Sequence, residues 1–319
     1  MASISETSEI VTLKPTADYR SNSLWRLTLR RLFRQRSALI GLTILVFLIL
    51  VAIFAPVIAP YEPTTVLIGV EPVSKREAPC IHLLGCPRDK PQHIMGIDGN
   101  VRDQFSRVIY GSRISLFIGI STVTFAIIVG TILGSVAGYL SGWVDNVIMR
   151  FMDVLLAFPS LLLAIAIVSV LGRGIENALL AIAIVTIPVY ARVVRASVLS
   201  VKEREFVDAS RALGANHLSI LFTRILPNAL PPLIVQATLG IATAILDAAA
   251  LSFLGLGAQP PTPEWGTMLG SERNQVFTAP HLVFFPGLAI MITVLAFNLL
   301  GDGLRDALDP RLSQEGAGS

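Results

Sequence analysis

Long apolar runs separated by short polar stretches dominate the chain from residue 38 onward. The first, Ala38 to Ala59, holds 22 residues and no charge. At about 1.5 Å per residue, a helix of that length crosses a hydrocarbon core of roughly 30 Å. It starts later and runs longer than a signal-peptide core of about 7 to 15 residues, so it reads as a retained transmembrane helix. Five further spans are predicted: Ile114 to Leu140, Val154 to Gly172, Asn177 to about Leu199, Ala229 to about Gly257, and Leu282 to about Gly301. The pattern predicts an all-α polytopic membrane protein with six transmembrane helices and both termini on one side. It divides the chain into an N-terminal tail (1–37), a first helix (38–59), a loop (60–113), a core of five helices (114–304) with a polar loop at 200–228, and a C-terminal tail (305–319).

Composition sharpens this picture. The chain is 53% hydrophobic and 15% charged, with mean hydropathy +0.68, whereas soluble proteins carry about 25% charged residues. That excludes an ordinary water-soluble enzyme. Seven basic residues (Lys14, Arg20, Arg26, Arg30, Arg31, Arg34, Arg36) precede the first run, and Arg192, Arg195, Lys202, Arg204, Arg211 and Arg224 cluster between the fourth and fifth. Basic loops stay inside, so both tails and the 200–228 loop are expected to be cytoplasmic and the 60–113 loop outside. The outer loop also holds seven Lys and Arg, offset by Glu62, Glu71, Glu77, Asp89, Asp98 and Asp103. The basic residues lack the aromatic interleaving of a nucleic-acid surface, and no nucleic-acid partner is expected.

Gly130, Gly134 and Gly138 recur every four residues and mark a face that a neighbouring helix can approach closely. Pro159, Pro188, Pro231, Pro232 and Pro286 are placed to kink or start helices. In the polar loop, Phe206, Ala209, Ser210 and Leu213 fall at helical spacing, with Glu205, Asp208 and Arg211 opposite. Gly214 is placed to stop that short helix, and Ala215 follows. Asn216 can cap a second one, with Leu218, Leu221, Phe222 and Ile225 on its apolar face and Pro227 closing it. The residues alone leave two readings, a passive amphipathic hairpin on the membrane surface or a docking element for a cytoplasmic partner.

Three acids, Asp153, Asp247 and Asp302, fall within or beside the predicted spans. Asp153 has Arg150 one turn earlier, which predicts an ion pair, and Asp302 is expected to order the Gly301–Pro310 tail. Asp247 lies within the fifth span with no basic residue within a turn. A carboxylate facing lipid costs about 2.5–3.5 kcal/mol, so Asp247 is expected to face the translocation path, a partner subunit or a hydrogen-bonding group on a neighbouring helix. Cys80 and Cys86 in the outer loop suit a disulfide in an oxidising compartment. The alternative is a metal site of Cys80, His82, Cys86 and His93.

Asp208-Ala-Ser-Arg-Ala-Leu-Gly214 followed by Ile225-Leu-Pro227 resembles the "EAA" loop of ABC-importer permeases. Asp208 stands for the usual Glu, Ser210 for the second Ala, and Arg224 at the usual Ile position. The stretch Ala258 to Leu269 (Ala-Gln-Pro-Pro-Thr-Pro-Glu-Trp-Gly-Thr-Met-Leu) and Gly301 to Pro310 (Gly-Asp-Gly-Leu-Arg-Asp-Ala-Leu-Asp-Pro) resemble the ends of "C"-type permease subunits of dipeptide, oligopeptide and nickel importers. With Ser106 to Gly111, the resemblance spans residues 93 to 312. Where the family reads Thr and Gly near the start of this region, the chain has Ile97 and Val101.

This resemblance implies a type I ABC-importer permease fold in the bacterial cytoplasmic (inner) membrane, with 114–304 as its core domain. It implies a second homologous permease subunit, two ABC ATPase subunits and an extracytoplasmic peptide-binding protein as partners, with membrane lipid around the helices. Residues Glu205, Phe206, Asp208, Ala209, Ser210, Arg211, Leu213, Gly214 and Ala215 would form the ATPase-coupling loop. The chain lacks a Gly-x-x-x-x-Gly-Lys-Ser/Thr loop, so ATP and Mg are expected on the partner ATPases, with no cofactor or catalytic role in this chain. Dipeptides or short oligopeptides are the expected cargo, with nickel chelates or glutathione-like peptides as the alternative. An intramembrane hydrolase is disfavoured, since neither Gly-x-Ser-x-Gly nor His-Glu-x-x-His occurs. A self-sufficient channel leaves the long extramembrane signatures without a role.

Overall fold

A computed structural model describes residues 32–33 and 35–308; most of the basic N-terminal tail and Pro310 lie outside the described residues. The order of the main helices is α1 (Arg36–Ile53), α2 (Gln104–Leu140), α3 (Gly142–Leu156), α4 (Ser160–Leu171), α5 (Ile175–Lys202), α6 (Glu205–Ala212), α7 (Leu226–Phe253), α8 (Trp265–Glu272) and α9 (His281–Leu308). Five helical runs are long and apolar enough to cross a membrane, and α3 with α4 forms a sixth only as a pair bent by 91°.

α2 begins ten residues before the apolar run that predicts it. The Asp103 carboxylate accepts a hydrogen bond from the Ser106 backbone N–H at 2.7 Å, capping the helix, so its first turns stand outside the apolar region. The third predicted span differs more. Pro159 has no N–H to continue a helix and restricts the residue before it, so α3 stops at Leu156 and α4 restarts at Ser160. Twelve residues of α4 rise only about 18 Å, short of a full crossing.

The glycine ladder on α2 shows how the helices run. A side chain on Gly130 would meet Ile187, Tyr190 and Ala191; on Gly134, Ala191 and Val194; on Gly138, Arg195 and Val198. Both numberings rise together, so α2 and α5 pack parallel, and the bent α3–α4 pair must return the chain to the face where α2 began. α7 packs antiparallel on α2, with Gly119 against Ile241 and Ile245. α1 and α9 are also antiparallel, Gly41 meeting Ala296 to Leu300 and Gly303 meeting Ala38. The inner faces of α2, α4, α5 and α7 form the main core, and α1, α2, α7 and α9 a second.

Two faces result. On one, the described ends meet through a Gln35–Asp306 side-chain hydrogen bond, and the ends of α2 and α5 lie there with α6; we call it the terminal face. On the other, the 59–103 loop and α8 form a cap. Trp265 is 1% exposed and donates from Nε1 to the Val108 carbonyl at 3.0 Å. Asp98 binds Arg102 at 2.8 Å and Arg107 at 3.4 Å, while Glu272 binds Arg76 at 3.0 Å. Val101, where the family motif has glycine, has φ +57°, a left-handed conformation costly for a β-branched residue. The Asp98 carboxylate accepts from the Asn100 and Arg102 N–H groups on either side and holds it there. Asp302 does not organise a separate tail, because α9 continues through it to Leu308.

Candidate functional site

The polar loop on the terminal face is built around one anchor. In α6, Val207 is fully buried, while Glu205, Phe206, Asp208, Ala209, Arg211, Leu213, Gly214 and Ala215 are exposed and Ser210 half-buried. The expected apolar face of Phe206, Ala209, Ser210 and Leu213 is therefore not turned inward. Leu213 is 87% exposed, because a single β-branched residue fills the contact with the helices above and leaves the longer side chains outside. Gly214 has φ +77°, the Ala215 N–H closes onto the Ser210 carbonyl at 3.1 Å, and the Asn216 side chain accepts from the Ser219 N–H.

From His217 the chain runs through a wider π-helical stretch, Ile220–Ile225, straight into α7. Pro227 follows directly on the wider π-helical stretch, which accommodates a residue without an N–H inside the continuous helix, and it does not close the segment. The second predicted apolar face also divides. Leu221 and Ile225 are buried, but Leu218 and Phe222 are exposed. Phe206, Leu213, Leu218 and Phe222 thus form an exposed apolar set within an exposed polar turn. Two links tie this loop to the end of α2: Tyr139 Oη and His217 Nδ1 lie 2.7 Å apart, and Lys202 Nζ donates to the Tyr139 carbonyl and Ser141 Oγ at 3.0 Å. Sequence reasoning missed Val207 and both links.

On the opposite cap, Cys80 and Cys86 form a disulfide. His82 Nε2 meets the Lys90 carbonyl at 2.8 Å, so of the four side chains of the alternative metal site the two sulfurs are bonded to each other and the two imidazoles are turned to separate partners. His93 pairs its backbone with Cys80 in both directions. Its buried ring lies between Asp103 Oδ1 (2.8 Å from Nδ1) and Glu71 Oε2 (3.1 Å from Nε2). Tyr61 donates to Glu71 at 2.6 Å and stacks on the imidazole. The disulfide loop is thereby fastened to the residue that caps α2.

Burial pushes the His93 imidazole down, but the Asp103 and Glu71 carboxylates outweigh it and hold its pKa above the ordinary value. A raised folded pKa gives stability that is complete below the unfolded value of about 6.5 and is lost as pH rises through the folded value. Amide exchange in residues 77–103, corrected for intrinsic base catalysis, is expected to quicken from pH 6 to 9, and His93→Gln to flatten that dependence. Equal corrected protection at both pH values would remove His93 as the clasp.

Asp153 pairs with Arg192 of α5 rather than with Arg150, and Asp145 pairs with Arg195, since α3 turns these carboxylates toward α5. Asp247 is half-buried, six residues before the end of α7. It has no hydrogen-bond or ion-pair partner among the described residues. Gln236, Thr243 and Asp247 recur at i, i+7 and i+11 and lie along one side of α7, facing away from the α2 contact made by Ile241 and Ile245.

Residues 130–314 match the family model of the binding-protein-dependent transport system inner membrane component, and residues 23–75 that of the N-terminal TM domain of oligopeptide transport permease C. The chain is 48% identical to the dipeptide transport system permease protein DppC of Alkalihalophilus pseudofirmus, covering 93% of each chain. It is 48% identical to the di/tripeptide permease protein DppC of Pseudomonas aeruginosa, covering 87% of this chain and 89% of the other. It is 44% identical to the glutathione permease protein GsiD of Pectobacterium atrosepticum, covering 95% and 96%. Its fold is similar to that of a chain in an inward-facing MetNI methionine ABC transporter, with TM-score 0.54 and 19% identity, covering 64% of this chain and 96% of the other. The helical core, the glycine-stopped loop and these likenesses agree: the chain belongs to the binding-protein-dependent transport system inner membrane components, as an ABC-importer permease subunit of the dipeptide, oligopeptide and nickel branch.

Proposed function

We propose that this subunit carries short peptides across the bacterial cytoplasmic membrane by alternating access, with a second permease subunit, two ATPases that bind ATP and Mg, and an extracytoplasmic peptide-binding protein. The observation that carries this reading is the exposed turn Arg211–Ser219, held by α6 on one side and continuous with α7 on the other. A force applied to that turn reaches α7 along a helix and α2 through His217–Tyr139. Closure of an ATPase pair against it would rock these helices between inward-open and outward-open arrangements. The basic residues of the terminal face support placing that face in the cytoplasm, and the Cys80–Cys86 disulfide suits an oxidising outer side.

Peptide cargo is supported by relatives named for dipeptides and di/tripeptides. A second reading, glutathione-like peptides, is favoured by relatives named for glutathione at 44–48% identity. Deleting the chain is expected to abolish uptake of labelled di- and tripeptides in cells without other peptide importers. Intact peptide uptake with lost glutathione uptake would instead establish the second reading.

In the same scheme Asp247 borders the path or the partner permease, where water or a peptide's ammonium end solvates it. Asp247→Asn keeps size and hydrogen bonding and is expected to leave assembly intact while lowering uptake several-fold. Uptake at the wild-type rate, in vesicles matched for assembled complex, would take the charge out of the mechanism.

A further inference from the structure

We infer that α3 is an in-plane helix that seats an anionic phospholipid headgroup on Arg150, with its apolar stripe in the acyl region of the leaflet on the terminal face. Three observations place it there. First, α3 meets α4 at 91°, so it lies across the direction in which the chain returns through the bundle. Second, its ion pairs fix its depth. Asp145 reaches Arg195 and Asp153 reaches Arg192, so residues eight apart on α3 meet residues only three apart on α5, as a steep crossing requires. Arg195 stands twenty residues after Ile175, the start of α5, roughly 30 Å along the helix, where a hydrocarbon core ends. The docking helix α6 follows only after Lys202, a further ~10 Å out, so a partner seated on α6 lies beyond this level.

Third, the side of α3 turned away from α5 has the composition of an interfacial helix. Trp143, Val147, Arg150 and Val154 fall within a narrow arc of the helix, with Phe151 beside them, and all five are exposed. With Asn146 they line a shallow groove of about 490 Å³. Trp143 is 77% exposed, and an indole at the headgroup boundary can keep its ring in apolar surroundings and its N–H in polar ones. Because Arg192 takes Asp153, Arg150 is left without a carboxylate partner among the described residues. An unpaired guanidinium at the end of the hydrocarbon, beside an apolar stripe, matches a phosphate above acyl chains, and its planar fork can hold phosphate oxygens bidentately.

The test uses the full-length chain in its assembled complex, in nanodiscs containing phosphatidylcholine and phosphatidylglycerol in fixed proportion, with one or the other carrying brominated acyl chains. The Trp143 signal is the quenched emission that disappears in Trp143→Phe. Brominated phosphatidylglycerol is expected to quench it with about fivefold preference, the equivalent of ~1 kcal/mol for one basic side chain at an anionic surface. Arg150→Gln is expected to abolish the preference and Arg150→Lys to retain part of it. Equal quenching by both lipids, unchanged in Arg150→Gln, would overturn the headgroup seat. Absence of quenching by either would show the stripe covered by protein and overturn the proposal altogether.

Discussion

Gly134→Ala is expected to deplete the folded protein in the membrane, whereas the same change at Gly287 leaves it unaffected. A methyl on Gly134 would lie 2.9 Å from Val194 Cβ and closer still to the Ala191 carbonyl oxygen. Those neighbours belong to the backbone and a β-branched side chain of α5, so rotation to another rotamer cannot relieve the clash. The helices must separate, losing the close contact that also holds Gly130 and Gly138. Overpacking of this kind costs on the order of 3 kcal/mol. The nearest atom to a methyl on Gly287 is Leu269 Cδ2 at 4.0 Å, and in an open helical position alanine is better than glycine by up to about 1 kcal/mol. Quantifying detergent-stable protein at matched synthesis compares the two. Equal yields would mean that α2 and α5 do not depend on this contact.

Gly214→Val is expected to separate ATP hydrolysis from uptake without loss of protein. Beyond its chain neighbours, no atom of the described residues lies within 4 Å of a Cβ built at Gly214, so the substitution acts chiefly through backbone conformation. A branched residue at φ +77° is strained by about 1–2 kcal/mol, which the exposed turn can relieve by redirecting the chain between α6 and His217. That shifts Leu213 relative to Leu218 and the exposed docking surface with it. Peptide imported per ATP hydrolysed in proteoliposomes is expected to fall at least fivefold. Gly214→Asn, whose side chain tolerates the left-handed conformation, is expected to recover most of the ratio. A wild-type ratio in the valine variant would dissociate the turn from coupling.

The long spans and the glycine ladder were legible because hydropathy and four-residue spacing act within one helix. What depended on the other elements was not. The start of α2 was written in Asp103 and Ser106, a capping pair outside the apolar window that located the span. The inward side of α6 went to Val207 because the tertiary contact admits one small residue, so counting apolar positions selected the exposed side. Asp153 chose Arg192 over Arg150 across a helix pair whose crossing no local spacing encodes. The third span read as one segment because its hydropathy continues through Pro159, where the backbone does not. His93, joined to residues ten and twenty-two positions away, had no local signal beyond being a histidine near acids.

In the proposed function the turn after α6 receives an ATPase. A photo-crosslinking residue at position 213, in the intact complex, is expected to attach covalently to a polypeptide that carries a phosphate-binding loop and hydrolyses ATP. The same residue at position 83, on the disulfide loop at the opposite face, is expected to give none of that product. An ATPase adduct from position 83, or its absence from position 213 in an actively transporting complex, would contradict docking at this turn.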